Sequence, residues 1–276
     1  MKAQWKQPDG NGDWEVIHHE TSADVVRYSD TTVADVLDNT AILAASSFME
    51  SLLAAEDASE AREILRVGRE NFYDEGGRRW SNTSSLLSSA EKKFGESSMY
   101  LNGSANLRQT AGITLGGKDF AISCWAYASA ASTAGQGFFC WGEDKTEGFQ
   151  CYRDASNLTA FATIIGDTLA GTAAADRPTF PTGQWNHIEV DYRQSDNTFF
   201  FFFNGELVNS QIDANFASAR TFPFYIGYTL RGTAYFTGYI DEFIITEQLL
   251  HSADFTPPSA PYSFDSDTTV ALLHFE

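Results

Sequence analysis

The stretch WNHIEVDYR-QSDN-TFFFFF-NG (Trp185–Gly205) decides the fold, because it contains two strands and the turn signal for a third. Its first nine residues alternate polar and apolar side chains, so Ile188, Val190 and Tyr192 share one face of a strand. The polar loop at 194–197 then turns the chain back into five consecutive phenylalanines. The stretch therefore predicts an antiparallel hairpin with one apolar face.

Pairing between the two strands predicts where each phenylalanine points. If Arg193 opposes Thr198, every second phenylalanine faces the apolar side of the first strand, since opposed residues share a face. The phenylalanines assigned to the core in this way are Phe199, Phe201 and Phe203.

The other two phenylalanines, Phe200 and Phe202, are predicted to point to the opposite, outer face. The hairpin signal Asn204-Gly205 predicts a third strand with Leu207 opposite Phe202 and Asn209 opposite Phe200. Two adjacent rings are too apolar to stay in water, because burial of each is worth about 2–3 kcal/mol. Either sugar stacks on them, or a neighbouring subunit, a loop or the helical region packs there.

Carboxylates and further rings are expected on the same outer face. If residues 120, 122 and 124 are in the core, Trp125 and Tyr127 also point outward, while Glu189 and Asp191 lie beside the two phenylalanines. Rings that stack on sugars and carboxylates that accept hydroxyl hydrogen bonds would form a ligand platform. The candidate carbohydrate-binding or interface residues are Phe200, Phe202, Glu189, Asp191, Trp125 and Tyr127.

Composition favours a β protein and excludes several partners. The chain of 276 residues has a formal net charge of -19 and contains 22 Phe, 11 Tyr and 21 Gly. Aromatic residues favour strands and glycines favour tight turns, whereas the acidity argues against nucleic acid and anionic membranes. The N-terminus lacks the apolar core of a signal peptide. Cys124, Cys140 and Cys151 are predicted to be reduced, buried thiols.

The sequence divides into three regions. Residues 1–40 are polar, with short strands predicted at 15–18 and 24–28, and are interpreted as an anchoring segment. Residues 41–68 are predicted to form a helical oligomerisation segment, because a short amphipathic helix needs packing partners. Residues 69–276 contain many short strands separated by turns, which is typical of an antiparallel sandwich or jelly roll.

The order of motifs in the third region resembles a laminin G-like domain of the concanavalin A-like lectin/glucanase superfamily. The motifs are FGESSMYLNG at 94–103, FAISCW at 120–125, GQWNHI at 183–188, FFNGELV at 202–208, GYIDEF at 238–243, FTPP at 255–258 and TVALLHF at 269–275. The resemblance covers about three quarters of the chain and implies a mainly β, concanavalin A-like antiparallel β-sandwich.

The resemblance also bears on catalysis. Glucanases of this fold carry Glu-x-Asp-x-Glu on one strand, with the first carboxylate as nucleophile and the last as general acid/base. This chain matches the first two positions with Glu189 and Asp191 but has Arg193 at the third. Without the proton donor the retaining cycle fails, so we expect no glycosidase activity.

Two further sites have a structural and a functional interpretation. Acids near Asp241 and Glu242 bind calcium in some relatives, but structural hydrogen bonding is the favoured role here, and no other cofactor is expected. His187 and His274 are interpreted as structural histidines, because no metalloprotease or nucleophile motif accompanies them.

The helical region has a resemblance of its own. Residues 51–68 are similar to an Ala-rich module of tailed-phage tail fibres and related virion proteins. This similarity implies a non-enzymatic virion protein, such as a tail fibre or baseplate receptor-binding protein that contacts host surface glycans. The alternative is a head fibre or capsid decoration protein without a sugar site. We expect a homotrimer held to other virion proteins through residues 1–67, with neither nucleic acid nor membrane as a partner.

Overall fold

The computed structural model describes residues 71–276 except 84, 144, 145, 167 and 233, and the backbone of four short strands in the N-terminal region. The chain divides into two compact units, Met1–Arg69 and Glu70–Glu276. The predicted helix at 41–68 lies outside the described residues. Among the described residues, no helix has the length and apolar character needed to cross a membrane.

The described residues of the first unit form two small antiparallel pairs. β1 (Gln4–Pro8) pairs with β2 (Trp14–His18), and β3 (Arg27–Tyr28) pairs with β4 (Thr31–Thr32). The strand predicted at 15–18 is confirmed within β2. The strand predicted at 24–28 is confirmed only for its last two residues, within β3.

The second unit is built from sixteen strands, β5 to β20. In chain order they are β5 (Asn71–Tyr73), β6 (Arg79–Asn82), β7 (Leu86–Ser88), β8 (Ser98–Asn102), β9 (Leu107–Leu115), β10 (Phe120–Tyr127), β11 (Gln136–Glu143), β12 (Glu147–Arg153), β13 (Thr159–Ile165), β14 (Thr168–Gly171), β15 (Trp185–Arg193), β16 (Thr198–Phe203), β17 (Glu206–Ile212), β18 (Arg220–Ile226), β19 (Thr237–Thr246) and β20 (Thr269–Leu273). Short 3₁₀ helices occur at Ala174–Asp176 and Ala214–Phe216.

These strands form two antiparallel sheets that pack face to face. The front sheet has the order β17-β16-β15-β10-β19-β8-β7, with β20 also paired to β19. The back sheet has the order β14-β13-β12-β11-β18-β9-β6-β5. The expected mainly β, antiparallel sandwich is confirmed.

Aromatic side chains fill the space between the sheets. Phe199 of the front sheet lies 5.2 Å from Phe161 of the back sheet, measured between ring centroids, and 4.7 Å from Phe216. Tyr192 packs against Phe199 at 4.8 Å, and its hydroxyl donates to Asn197. Ring pairs at these distances add stability beyond the area they bury. The three cysteines are buried and unbridged, as predicted.

The predicted hairpin is confirmed residue by residue. Arg193 pairs with Thr198, and Phe199, Phe201 and Phe203 all belong to the core. Asn204 and Gly205 have φ values of 51° and 83°, so both central turn residues are left-handed, as a tight two-residue hairpin turn requires. Alternation along β15 and the position of the polar loop at 194–197 predicted this register.

Candidate functional site

The outer face of the front sheet carries the candidate residues. Pairing of β15 with β16 sets Glu189 opposite Phe202 and Asp191 opposite Phe200, so the four side chains share this face as predicted. Leu207 opposes Phe202, also as predicted.

One register prediction was wrong. Asn209 opposes Phe201, and Ser210 takes the predicted position opposite Phe200. The cause is a β-bulge between Phe201 and Phe202, where β17 contains Val208 as an extra residue. A bulge moves every later side chain of the strand by one position.

A long connection between β19 and β20, residues 247–268, lies across the outer face and is called the strap below. The ring of His251 stacks on Phe255 at 3.5 Å, and Phe255 meets the edge of Phe202 at 5.2 Å. The Phe255 N–H donates to the Gly205 carbonyl at 2.9 Å. A Cβ at position 205 would lie 2.1 Å from the Phe255 carbonyl oxygen, so this contact requires glycine.

The strap and one arginine cover both outer phenylalanines. Phe202 is 0% exposed beneath the strap, and Phe200 is 6% exposed beneath the Arg193 guanidinium, which lies 4.8 Å from its ring. Asp196 holds that guanidinium at 2.7 Å. Sugar therefore has no access to these two rings. Of the alternatives that the sequence left open, the structure shows a loop of the same chain packed on this face.

The two candidate carboxylates hold the strap down. Asp191 Oδ1 accepts hydrogen bonds from the backbone N–H groups of Leu250 and His251, at 2.7 and 3.0 Å. Glu189 Oε1 lies 2.5 Å from His251 Nδ1. Burial raises the pKa of Glu189 to about 7, and burial followed by the Glu189 charge raises the pKa of Asp191 well above its ordinary value. Neither group faces solvent as a sugar-binding carboxylate would.

His187 lies next to this pair and has the structural role predicted for it. Its Nε2 is 2.8 Å from Ser123 Oγ and 3.1 Å from the hydroxyl of Tyr262, a strap residue. Burial lowers the pKa of His187 to about 3, so the ring is neutral at neutral pH.

The acids at the calcium candidate position are held by the chain itself. Asp241 Oδ2 accepts hydrogen bonds from the backbone N–H groups of residues 93 and 94, and Asp241 Oδ1 accepts one from the N–H of Glu242. Glu242 Oε2 accepts the Tyr262 N–H at 2.8 Å, and Oε1 lies 2.7 Å from His274 Nδ1. All four carboxylate oxygens have hydrogen-bond partners, which favours the structural interpretation over calcium binding.

Beyond the strap, four half-buried rings form a line across the outer face, called the aromatic row below. The members, in order across strands β8, β19, β10 and β15, are Tyr100, Tyr239, Tyr127 and Trp185. Neighbouring ring centroids are 5.1, 5.9 and 5.6 Å apart. Desolvation and then the Glu91 carboxylate raise the pKa of the Tyr127 phenol, which places an acidic group beside the row.

The two ring candidates on β10 therefore differ. Trp125 is 6% exposed, because the Lys93 ammonium lies 3.7 Å from its ring and Phe94 meets it at 6.3 Å. Tyr127, two residues further along the strand, remains half-buried in the aromatic row. Of the six outer-face candidates, only Tyr127 has the exposure that stacking on a ligand requires.

Sequence reasoning did not assign the other residues of this candidate site. They are Tyr100, Tyr239 and Trp185 of the row, and His251, Phe255 and Tyr262 of the strap. Alternation offered a signal for the row, since Ile240 belongs to the core and Tyr239 must point the other way. The strap sequence has no alternation of polar and apolar residues from which its position could have been predicted.

Comparison with known proteins identifies the domain. A family model described as the concanavalin A-like lectin/glucanases superfamily matches residues 97–254, which is more than half of the chain. No curated protein matches the sequence.

The solved structures to which the chain is similar have low sequence identity. Domain 4 of AbnA, a GH43 extracellular arabinanase from Geobacillus stearothermophilus in complex with arabinotriose, is 17% identical with a TM-score of 0.49, covering 62% of this chain and 84% of that one. The cellulose induced protein Cip1 is 15% identical with a TM-score of 0.47, covering 63% and 94%. The CBM40 of the Ruminococcus gnavus IT-sialidase, bound to α2,3-sialyllactose, is 15% identical with a TM-score of 0.39, covering 55% and 92%.

Proposed function

This chain belongs to the concanavalin A-like lectin/glucanase superfamily, and on that premise we propose that it binds carbohydrate along the aromatic row without cleaving it. The observation that carries the proposal is the line of one tryptophan and three tyrosines across four adjacent strands. With strands about 4.8 Å apart, the row spans about 14 Å, which suits an oligosaccharide better than a single sugar.

The chemistry of the row fits a sugar ligand. An aromatic ring offers an apolar face to the C–H groups of a sugar, and each tyrosine hydroxyl offers a hydrogen bond at the edge. Tyrosine and tryptophan rings on a rigid sheet lose little conformational freedom on binding. Glu91 beside Tyr127 supplies a carboxylate that accepts hydroxyl hydrogen bonds.

Two features support binding without cleavage. Arg193 replaces the acid/base carboxylate of the glucanase pattern, and its guanidinium is engaged by Asp196 and the Phe200 ring. The remaining carboxylates, Glu189 and Asp191, lie under the strap. A retaining mechanism needs two carboxylates that both reach the glycosidic bond.

A more specific proposal concerns the biological setting. The similarity of residues 51–68 to a phage tail-fibre module supports a virion protein, a tail fibre or baseplate component that contacts host glycans. In this proposal, residues 1–67 hold a homotrimer to other virion proteins. Mass spectrometry and antibody labelling of purified particles test the setting, and labelling on the capsid would instead support a head fibre or decoration protein.

A glycan array with the full chain tests the binding proposal. We expect binding to a set of oligosaccharides and a loss of about tenfold or more in affinity for Tyr239→Ala, since a stacked ring contributes on the order of 1.4 kcal/mol. Thermal unfolding of the variant shows whether the fold is kept. A wild-type chain that binds no glycan, or a folded variant that binds as well as wild type, would contradict the proposal.

The segment that follows β18 provides a matched control. Tyr228 is half-buried like Tyr239 and has tyrosine neighbours on both sides, Tyr225 at 5.4 Å and Tyr235 at 5.0 Å. Tyr228→Ala removes a comparable ring from outside the aromatic row and should leave glycan affinity unchanged. If Tyr228→Ala abolishes binding and Tyr239→Ala does not, the aromatic row is the wrong site.

A further inference from the structure

Three potential metal ligands meet where the strap crosses β15. One ligand atom each from Glu189, Asp191 and His251 lies within 4.8 Å of the others. Two come from one strand at alternate positions, so they point the same way, and the third comes from the strap. The cluster therefore joins two parts of the chain that are far apart in sequence.

Two carboxylate oxygens in this cluster have no partner among the described residues. Glu189 is 1% exposed and Asp191 is 0% exposed, yet Glu189 Oε2 and Asp191 Oδ2 accept no hydrogen bond there. A buried carboxylate oxygen without a partner is costly, and two side by side cost more. The other buried acidic pair, Asp241 and Glu242, has a partner for every oxygen.

The rest of the cluster is held in place. Asp191 Oδ1 is fixed by the N–H groups of Leu250 and His251, which leaves Oδ2 to face the cluster. Supporting hydrogen bonds of this kind orient metal ligands and raise affinity. The His251 side chain is 34% exposed, so an ion has a route from solvent along the imidazole.

We propose that Glu189, Asp191 and His251 bind a divalent transition-metal ion, with Zn²⁺ as the best match, and that the ion fastens the strap to the front sheet. One imidazole nitrogen and two carboxylate oxygens suit Zn²⁺, which accepts few ligands, whereas Ca²⁺ needs six to eight oxygens. With Zn–ligand bonds of about 2.0–2.2 Å, the distance between His251 Nδ1 and Glu189 Oε1 increases to roughly 3.3 Å. A proton shared by the two carboxylates is the competing occupant.

Metal titration of the full-length chain tests this proposal. After dialysis against EDTA, Zn²⁺ is added and followed by calorimetry and thermal unfolding. We expect a site of one equivalent that raises the unfolding temperature and that is lost, or weakened by about tenfold or more, in His251→Gln. Comparison with His251→Gln separates this site from binding elsewhere, including at His18 and His19 of the N-terminal region.

His274→Gln is the matched control. His274 also pairs with a buried glutamate through Nδ1, but Glu242 has no free oxygen, so this variant should keep the Zn²⁺ site. Equal Zn²⁺ binding by wild type and His251→Gln would overturn the proposal, as would stabilisation by Ca²⁺ alone or by neither metal. If neither metal stabilises the chain, a proton shared by Glu189 and Asp191 occupies the site instead.

A spectroscopic measurement covers the case in which His251→Gln does not fold. Co²⁺ bound to one nitrogen and two oxygens absorbs visible light, and in folded Glu189→Gln the absorption should weaken as affinity falls. No Co²⁺ absorption in the folded wild type contradicts the site independently of any variant.

Discussion

The outer face of the front sheet has a covered half and an open half, and they differ in what lies above them. In the covered half, Phe202 and Glu189 are closed off by the strap. In the open half, Tyr127 and Tyr239 are half-buried on neighbouring strands, and among the described residues their ring contacts are with other members of the aromatic row. The two halves share one sheet, one strand alternation and a similar aromatic content.

This difference teaches that an apolar outer face is not by itself a binding surface. The phenylalanines are pure apolar rings, and the chain buries them as a second, smaller core beneath the strap. The tyrosines of the row carry hydroxyl groups that tolerate water, so the same fold can leave them open. Stability should therefore depend on the covered half, and ligand binding on the open half.

The largest expected effect tests whether β16 is buried on both faces. Phe201→Ala, in the core, and Phe202→Ala, under the strap, should each reduce the free energy of unfolding by about 3–5 kcal/mol, because both rings are fully buried. Denaturant unfolding of both variants, followed with the same spectroscopic signal, measures this loss in the free energy of unfolding. A cost below about 1 kcal/mol for Phe202→Ala would show that the strap does not bury this ring.

A pH dependence is expected from the covered half. The pKa of His187 is lowered to about 3 in the folded chain, whereas an unfolded histidine titrates near pH 6.5. The unfolded state therefore binds the extra proton first, and the contribution of His187 to stability falls by up to about 1.4 kcal/mol per pH unit as pH drops below about 6.5. Glu189, whose pKa is raised to about 7 in the folded chain, contributes in the opposite direction, so the His187 contribution has to be isolated with a variant.

The variant His187→Gln isolates this contribution. It should be less stable than wild type at neutral pH but lose less stability between pH 6.5 and 4, because its side chain does not titrate there. Unfolding curves at several pH values measure both slopes. Parallel slopes for the two chains would mean that His187 is not held neutral.

A smaller effect is expected from loosening the strap. Phe255→Ala removes the ring that stacks on His251 and covers Phe202, and should cost about 1–3 kcal/mol, since Phe255 is only partly buried. Proteolysis under native conditions should also cut within 247–268 faster than in wild type. An unchanged cleavage rate would indicate that the backbone hydrogen bonds alone hold the strap.

The smallest stability effect is expected in the open half. Tyr127→Ala and Tyr239→Ala should each change the free energy of unfolding by about 1 kcal/mol or less, because these rings are half-buried. Glycan affinity, in contrast, should fall by about tenfold, as for any ring that stacks on the ligand. A loss of stability comparable to that of Phe202→Ala would remove the distinction between the two halves.

Local patterns were enough to determine much of the front sheet. Alternation along Trp185–Arg193 and a turn at the polar loop 194–197 predicted the pairing of Arg193 with Thr198 and the inward direction of Phe199. These features depend only on residues close in sequence, since side-chain direction alternates at every position. Many short strands separated by turns predicted a sandwich or jelly roll, and the resemblance of the motif order to a known family implied its concanavalin A-like form.

The sequence alone determined which side chains point outward, and only the tertiary structure decided which of them are covered. Alternation gives the face of Phe202 and of Tyr239, but the strap residue Phe255 reaches Phe202 through a contact across 53 positions of sequence. The same holds for the contact between His251 and Glu189, which are 62 positions apart. Long-range packing depends on how the whole chain fills space, and no local period encodes it.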